Sequence, residues 1–75
     1  MTALDVVFRL GRQPGAPEMQ AIYQVREVYG VRRVSVEDDG MTVRVEYDAS
    51  RLAESTVAAL LRRAGLDIRD KVALA

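Results

Sequence analysis

The 75-residue chain contains neither cysteine nor histidine. Those two absences together remove disulfide staples, thiolate metal sites, thiol nucleophiles, imidazole bases and the common zinc arrangements. Asparagine and tryptophan are also missing, phenylalanine occurs once, and the two prolines stand close together as Pro14 and Pro17. Net charge is lacking too. Eleven basic and eleven acidic side chains cancel, which leaves no field to collect nucleic acid or an anionic membrane. Asp5 and Arg9 interrupt the apolar start of the chain, so nothing there has the uncharged core of a signal or transit segment. The expectation is a cytoplasmic chain with no membrane insertion and no nucleic-acid partner.

What is present is ordinary globular material, 49% apolar and 29% charged. At about half the usual single-domain length, residues 1–75 are expected to form one small domain around one core. Ten of the eleven basic residues are arginine, with Lys71 the exception; arginine suits fixed ion pairs.

Hydrophobic periodicity divides the chain into six elements. From Ala3, the residues Val6, Phe8 and Leu10 alternate with Asp5, Val7 and Arg9, as a strand with one buried face requires. Gly11 to Pro17 then concentrates glycine and proline in a loop. Pro17 suits the first helical position, and Glu18 complements the dipole of the first turn. The spacing of Ala21, Ile22, Val25, Val28 and Tyr29 predicts a helix from about Pro17 to Tyr29, ended by Gly30. A second strand is expected over Val31 to Asp38. Asp38-Asp39-Gly40 is a hairpin signal, after which Val43, Val45 and Tyr47 resume the alternation. Ala53, Val57, Leu60, Leu61 and Ala64 repeat with helical period before Gly65, and Leu66 with Ile68 reads as a short fourth strand. Asp70 to Ala75 carries no clear periodicity.

The order βαββαβ is satisfied by two helices packed on one face of a four-stranded antiparallel sheet, the α+β ferredoxin-like sandwich with strand order 4-1-3-2. Strand two is then an edge. The uncovered sheet face is expected to carry Val7, Arg9, Arg33, Ser35, Glu37, Thr42, Arg44 and Glu46 as a solvated ion-pair surface.

Three stretches resemble one family in particular. Gly30-Val31-x-x-Val34-x-Val36, Val43-x-Val45-x-Tyr47-Asp48 and Thr56-x-x-x-Leu60-Leu61-x-x-Ala64-Gly65-Leu66-Asp67-Ile68 look like the signatures of the heavy-metal-associated domain of copper chaperones, mercury-binding proteins and metal-pumping ATPases. The resemblance covers nearly the whole chain and departs from the family in one place. The family's loop after strand one reads G-M-x-C-x-x-C, and Pro14 and Pro17 stand at the spacing of its two cysteines. Arg12 or Gln13 stands where the family has a methionine beneath the loop. Paired thiolates hold soft Cu(I), whereas proline has no side-chain donor. The resemblance thus implies a degenerate metal loop, with no cofactor and no bound metal expected.

Other chemistries meet specific obstacles. Asp38 with Asp39, and Met19 with Met41, are the remaining candidate metal ligands. Adjacent aspartates before a glycine serve as turn formers, calcium would need several more spaced oxygens, and Met41 is in phase with the core. Acylphosphatases share the βαββαβ order, but their strand-two asparagine corresponds to Val36 here, so the amide that would orient substrate and water is missing. Sandwiches that bind RNA stack bases on aromatics of the open face, and here Phe8 and Tyr47 are in phase with buried residues. Protein recognition is what these exclusions leave. Met19 and Tyr23 lie opposite the Ala21-Val25-Val28 stripe, near the proline loop. In the resembling family partners dock around this loop and the first helix, so Arg12, Gln13, Met19 and Tyr23 form the expected partner surface of a non-enzymatic binding or regulatory module. Strand two offers a second route, through backbone pairing with a partner or by self-association. The alternative reading is a metal-homeostasis domain with weak or partner-supplied ligation.

Overall fold

In the computed structural model, which describes residues 3–72, the alternation of Val6, Phe8 and Leu10 turns all three into the core from β1 (Ala3–Leu10). Val43, Val45 and Tyr47 do the same from β3 (Thr42–Asp48), which pairs antiparallel with β1 in the register Val6↔Val45 and Phe8↔Val43. The edges are β2 (Val31–Val36) beside β3 and β4 (Ile68–Val72) beside β1. The sheet order β2-β3-β1-β4 is the expected 4-1-3-2 order read from its other edge. Two helices, α1 (Ala16–Val25) and α2 (Glu54–Arg63), cover one face. Ile22 and Val25 enter the core from α1, and Val57, Ala58 and Leu61 enter it from α2. Phe8 and Tyr47 lie beneath the helices, as their phase requires.

Several boundaries differ from the periodicity, each for a local reason. Helix α1 begins at Ala16, which puts Pro17 second; the missing N–H costs nothing because the first turn's donors have no helical partner. It ends at Val25 instead of Tyr29. The N–H groups of Glu27 and Val28 donate to Gln24 and Val25, three residues back. This tighter winding leaves the 3.6-residue progression, so Val28 stays partly buried while Tyr29 is 64% exposed. Ala53 caps α2 from an exposed position, and Ala58 takes a buried place instead. In β2 both Val31 and Val34 are buried although three residues apart. A bulge resolves the conflict, because the register shifts between Val31 and Arg33 opposite Glu46.

The two turns nearest the first loop are well specified. Strand β2 stops at Val36 because Glu37 begins the hairpin turn, with Gly40 N–H donating to Glu37 O at 2.9 Å and Glu37 N–H to Thr42 O at 2.9 Å. Asp39 Oδ1 accepts from Met41 N–H at 2.9 Å and from the Thr42 hydroxyl at 3.0 Å. Met41 is half-buried in this turn and not a core residue. Strand β4 begins at Ile68, after Leu66, because α2 ends in a Schellman motif. Gly65 (φ +99°) donates to Arg62 O, and Leu66 donates to Leu61 O while its side chain is buried. Residues 70–72, without a periodicity of their own, continue β4; residues 73–75 lie outside the described residues.

The uncovered face carries the expected charges. Arg44 reaches Glu37 at 2.9 Å and Asp5 at 3.6 Å, and Arg9 lies 3.9 Å from Asp70. The Glu37 hydrogen bond raises the Arg44 pKa further. Val7 is buried on this face, opposite Arg44 on one side and Val72 on the other.

Leu61 has no exposed surface, so Leu61→Ala should cost about 2–5 kcal/mol. Urea unfolding measures this, and a cost below about 0.5 kcal/mol, the level of a surface change, would contradict the assigned helix face. Asp39 supplies a second test. Its pKa is lowered, chiefly by the Met41 N–H and next by the Thr42 hydroxyl. A depressed folded-state value means that the carboxylate's contribution is fully present above the unfolded value of about 3.9 and is lost as pH falls through the folded value. The stability gap between wild type and Asp39→Ala should therefore be widest above about pH 4 and close in stronger acid. A gap that widens in acid would contradict the turn geometry.

Candidate functional site

Three connections meet at one end of the sandwich and hold the loop of residues 11–15 between them. Leu10 N–H donates to Met41 O at 2.7 Å, which ties the end of β1 to the hairpin turn. Gly11 N–H donates to Asp67 O at 2.9 Å, which ties the loop to the turn before β4. The approach there is close: a Cβ on Gly11 would land on the side chains of Asp67 and Arg69, themselves 3.3 Å apart as an ion pair. The loop then feeds α1 through Gly15, whose extended backbone caps the helix. Glu18 Oε1 accepts the Gly15 N–H at 3.0 Å, and Gly15 O accepts the Met19 N–H at 3.0 Å. Pro14, half-buried, fixes the backbone just before this cap, and Pro17 sits exposed in the first turn.

The donor set of this loop does not fit a soft metal ion. Pro14 and Pro17 carry no ligand atom, Gly11 and Gly15 carry no side chain, and Arg12 is a permanent cation. Asp38 and Asp39 are exposed on the neighbouring turn, and the Oδ1 of Asp39 already accepts from the Met41 N–H and the Thr42 hydroxyl. Among the described residues no group of three or more acidic side chains converges on a point that could hold a cation.

The four residues of the expected partner surface are all exposed, Met19 at 40% and Tyr23 at 61%. They divide into two pairs with different neighbours. Gln13 lies over the hairpin turn, where its Nε2 is 3.0 Å from the place a Cβ on Gly40 would occupy. Met19 and Tyr23 are one turn apart on α1, and Tyr23 stacks on the Arg26 guanidinium at 5.1 Å. Arg26 in turn donates from Nη2 to Val34 O of β2 at 2.7 Å. Sequence reasoning missed Arg26. Its only signal was its place three residues after Tyr23 on the same helical stripe.

Two further concavities lie away from the loop. A shallow groove of about 390 Å³ runs between the helices, floored by Val25, Val28, Leu60 and Ala64. A cleft of about 200 Å³ at the opposite end contains Tyr29, Arg32, Asp48 and Arg51, with the Arg51 guanidinium 4.3 Å from the Tyr29 ring centre. The buried Asp48 accepts from Ser50 N–H at 3.0 Å and from its hydroxyl at 2.6 Å, an arrangement that closes the turn after β3. Among the described residues no helix is long and apolar enough to cross a membrane.

No family model and no curated protein matches the chain. Solved structures do. Apo-CopP from Helicobacter pylori is 22% identical with a TM-score of 0.72, over 88% of this chain and 100% of that one. A putative copper-ion-binding protein from Bacillus anthracis str. Ames is 23% identical with a TM-score of 0.74, over 91% and 97%. The N-terminal domain of a potential copper-translocating P-type ATPase from Bacillus subtilis, in its Cu(I)-loaded state, is 17% identical with a TM-score of 0.71, over 97% and 95%. The likeness at these identities is one of fold: the chain is a ferredoxin-like α+β sandwich of the kind that these proteins adopt.

Proposed function

We infer that the chain is a non-enzymatic binding module built on the heavy-metal-associated sandwich, with the metal chemistry of the first loop removed. The observation that carries this reading is the exchange of donors for rigidity: prolines stand at the cysteine spacing, Pro14 in the loop and Pro17 in the first turn of α1, while Met19 and Tyr23 stand exposed on the same helix. A loop restrained by Pro14, by the Gly11 bond to Asp67 and by the bond of the preceding Leu10 to Met41 loses little entropy when a protein docks on it. Arginine and tyrosine are favoured residues at the centres of such interfaces. The proposed surface is Arg12, Gln13, Met19 and Tyr23, and the module is proposed to work in the cytoplasm without a cofactor.

The absence of a catalytic role rests on side-chain chemistry. With no histidine, cysteine or asparagine in the chain, the groups that most often act as base, nucleophile or orienting amide are missing. A second reading places the module within metal homeostasis, favoured by fold neighbours described as copper-ion-binding and copper-translocating. Any ligands would then come from a partner.

The double substitution Met19→Ser with Tyr23→Ser tests the docking surface. Both side chains are exposed, so circular dichroism and urea unfolding should change little, while capture of a protein partner in pull-down should fall at least about tenfold, the loss expected for one hot-spot residue. A folded double variant that captures the same partner equally well would overturn this assignment.

A further inference from the structure

The edge strand β2 carries a specific pattern of free backbone groups. Because Glu37 N–H bonds to Thr42 O, the antiparallel ladder alternates so that Arg33 and Ser35 also face β3 with their backbone groups. Val34 and Val36 therefore turn their N–H and C=O groups outward, away from the sheet. One of those carbonyls, that of Val34, is held from outside by Arg26 at 2.7 Å, and Arg26 is braced by the Tyr23 ring. A charged side chain laid along an edge is a device that keeps sheets from joining.

We propose that β2 pairs with β2 of a second copy of this chain, antiparallel about a two-fold axis through Ser35, and that Arg26 is the latch that holds this pairing back. In that register Val34 faces Val36 of the second copy, and the outward groups of both residues meet, giving four backbone hydrogen bonds across the axis. The same register sets Arg33 opposite Glu37 of the second copy, twice by symmetry, where it joins the Arg44 that each Glu37 already holds at 2.9 Å. Arg33 is exposed and, among the described residues, has no carboxylate within salt-bridge distance. Sliding the pairing by two residues in either direction takes Arg33 away from Glu37 and sets it against Ser35 or Asp39. Ser35 is uncharged, and Asp39 lies beyond the strand in the hairpin turn, where its Oδ1 already holds the Met41 N–H and the Thr42 hydroxyl. The Arg33–Glu37 register is therefore the one that adds an ion pair beside the strand, and its two-fold repetition fits a second copy of this chain. The bulge between Val31 and Arg33 ends before Val34 and leaves Val34 to Val36, which supply the backbone bonds, regular. This inference stands apart from the docking surface of the first loop, because it uses the backbone of β2 and the latch.

The absence of cysteine makes the test clean, since any introduced thiol is the only one in the chain. At the axis, position 35 faces itself in a non-hydrogen-bonded pair about 4.5 Å apart between Cα atoms, within disulfide range. Positions 33 and 37 each stand about 13 Å from their own copy, four residue steps along the strand. Mild oxidation should therefore link Ser35→Cys chains into dimers and leave Arg33→Cys or Glu37→Cys chains alone as monomers. An equal mixture of Arg33→Cys and Glu37→Cys chains should link. Adding Arg26→Ala should speed Ser35→Cys linkage about tenfold, the weight of one hydrogen bond from a charged donor. Each variant's fold is checked by circular dichroism, and sedimentation of the cysteine-free Arg26→Ala chain should show more dimer than wild type at equal concentration. Linkage at position 35 no faster than at 33 or 37 alone would overturn the proposal and leave the edge to another extended segment or to none. An unchanged rate and an unchanged sedimentation profile with Arg26→Ala would overturn the latch.

Discussion

The contact on which the rest depends is the apolar seam between the helices and the sheet. Val57 and Leu61 from α2 and Val34, Val43 and Val45 from the sheet have no exposed surface at all. Four of these five residues are β-branched, with few rotamers to lose, and such side chains pack well on a pleated surface. A 75-residue chain with no disulfide has little else to set against its conformational entropy. Because this one seam seals the helical face, the opposite face is free to be polar. The arginine and carboxylate pairs there are half-exposed and individually weak; they set cross-strand register more than they add stability.

The same seam positions the first loop. Central pairing of β1 with β3 brings the end of β1 beside the hairpin turn, and the Schellman turn after α2 delivers Asp67 to the other side. Three connections converge because the topology leaves them nowhere else to go. In the fold neighbours whose names mention copper, the sandwich is the same. At that convergence this chain displays Arg12 and Gln13, with Pro14 in the loop and Pro17 in the first turn of α1. Neither proline offers a side-chain ligand, and the loop holds no thiolate or imidazole for a soft ion.

Much of this was legible in the sequence, and the gaps have physical causes. Strict alternation disclosed β1 and β3, and Asp39-Gly40 disclosed the turn between β2 and β3, because those signals are local. The end of α1 was misread since Val28 and Tyr29 prolong the apolar period past the point where the backbone tightens at Glu27. The β2 bulge hides in the same way, as Val31 and Val34 satisfy a helical spacing and break a strand's. Ala53 leaves the buried face because it precedes the helix as its cap, and Ala58 joins that face three residues before Leu61, with the expected phase of Val57 and Leu61 unchanged. For the candidate site, the exposed phase of Met19 and Tyr23 was readable from α1 alone. The Arg26 contact with Val34 was not, because it joins residues from a helix and an edge strand that meet only in the folded chain.

The central claim is that this sandwich retains the fold of copper-handling domains without the means to hold the ion. Equilibrium dialysis of the whole chain against buffered Cu(I), followed by elemental analysis, tests it most directly. The account predicts no retention at micromolar free metal, for want of thiolate or imidazole ligands. One equivalent of copper held against a modest chelator would contradict it.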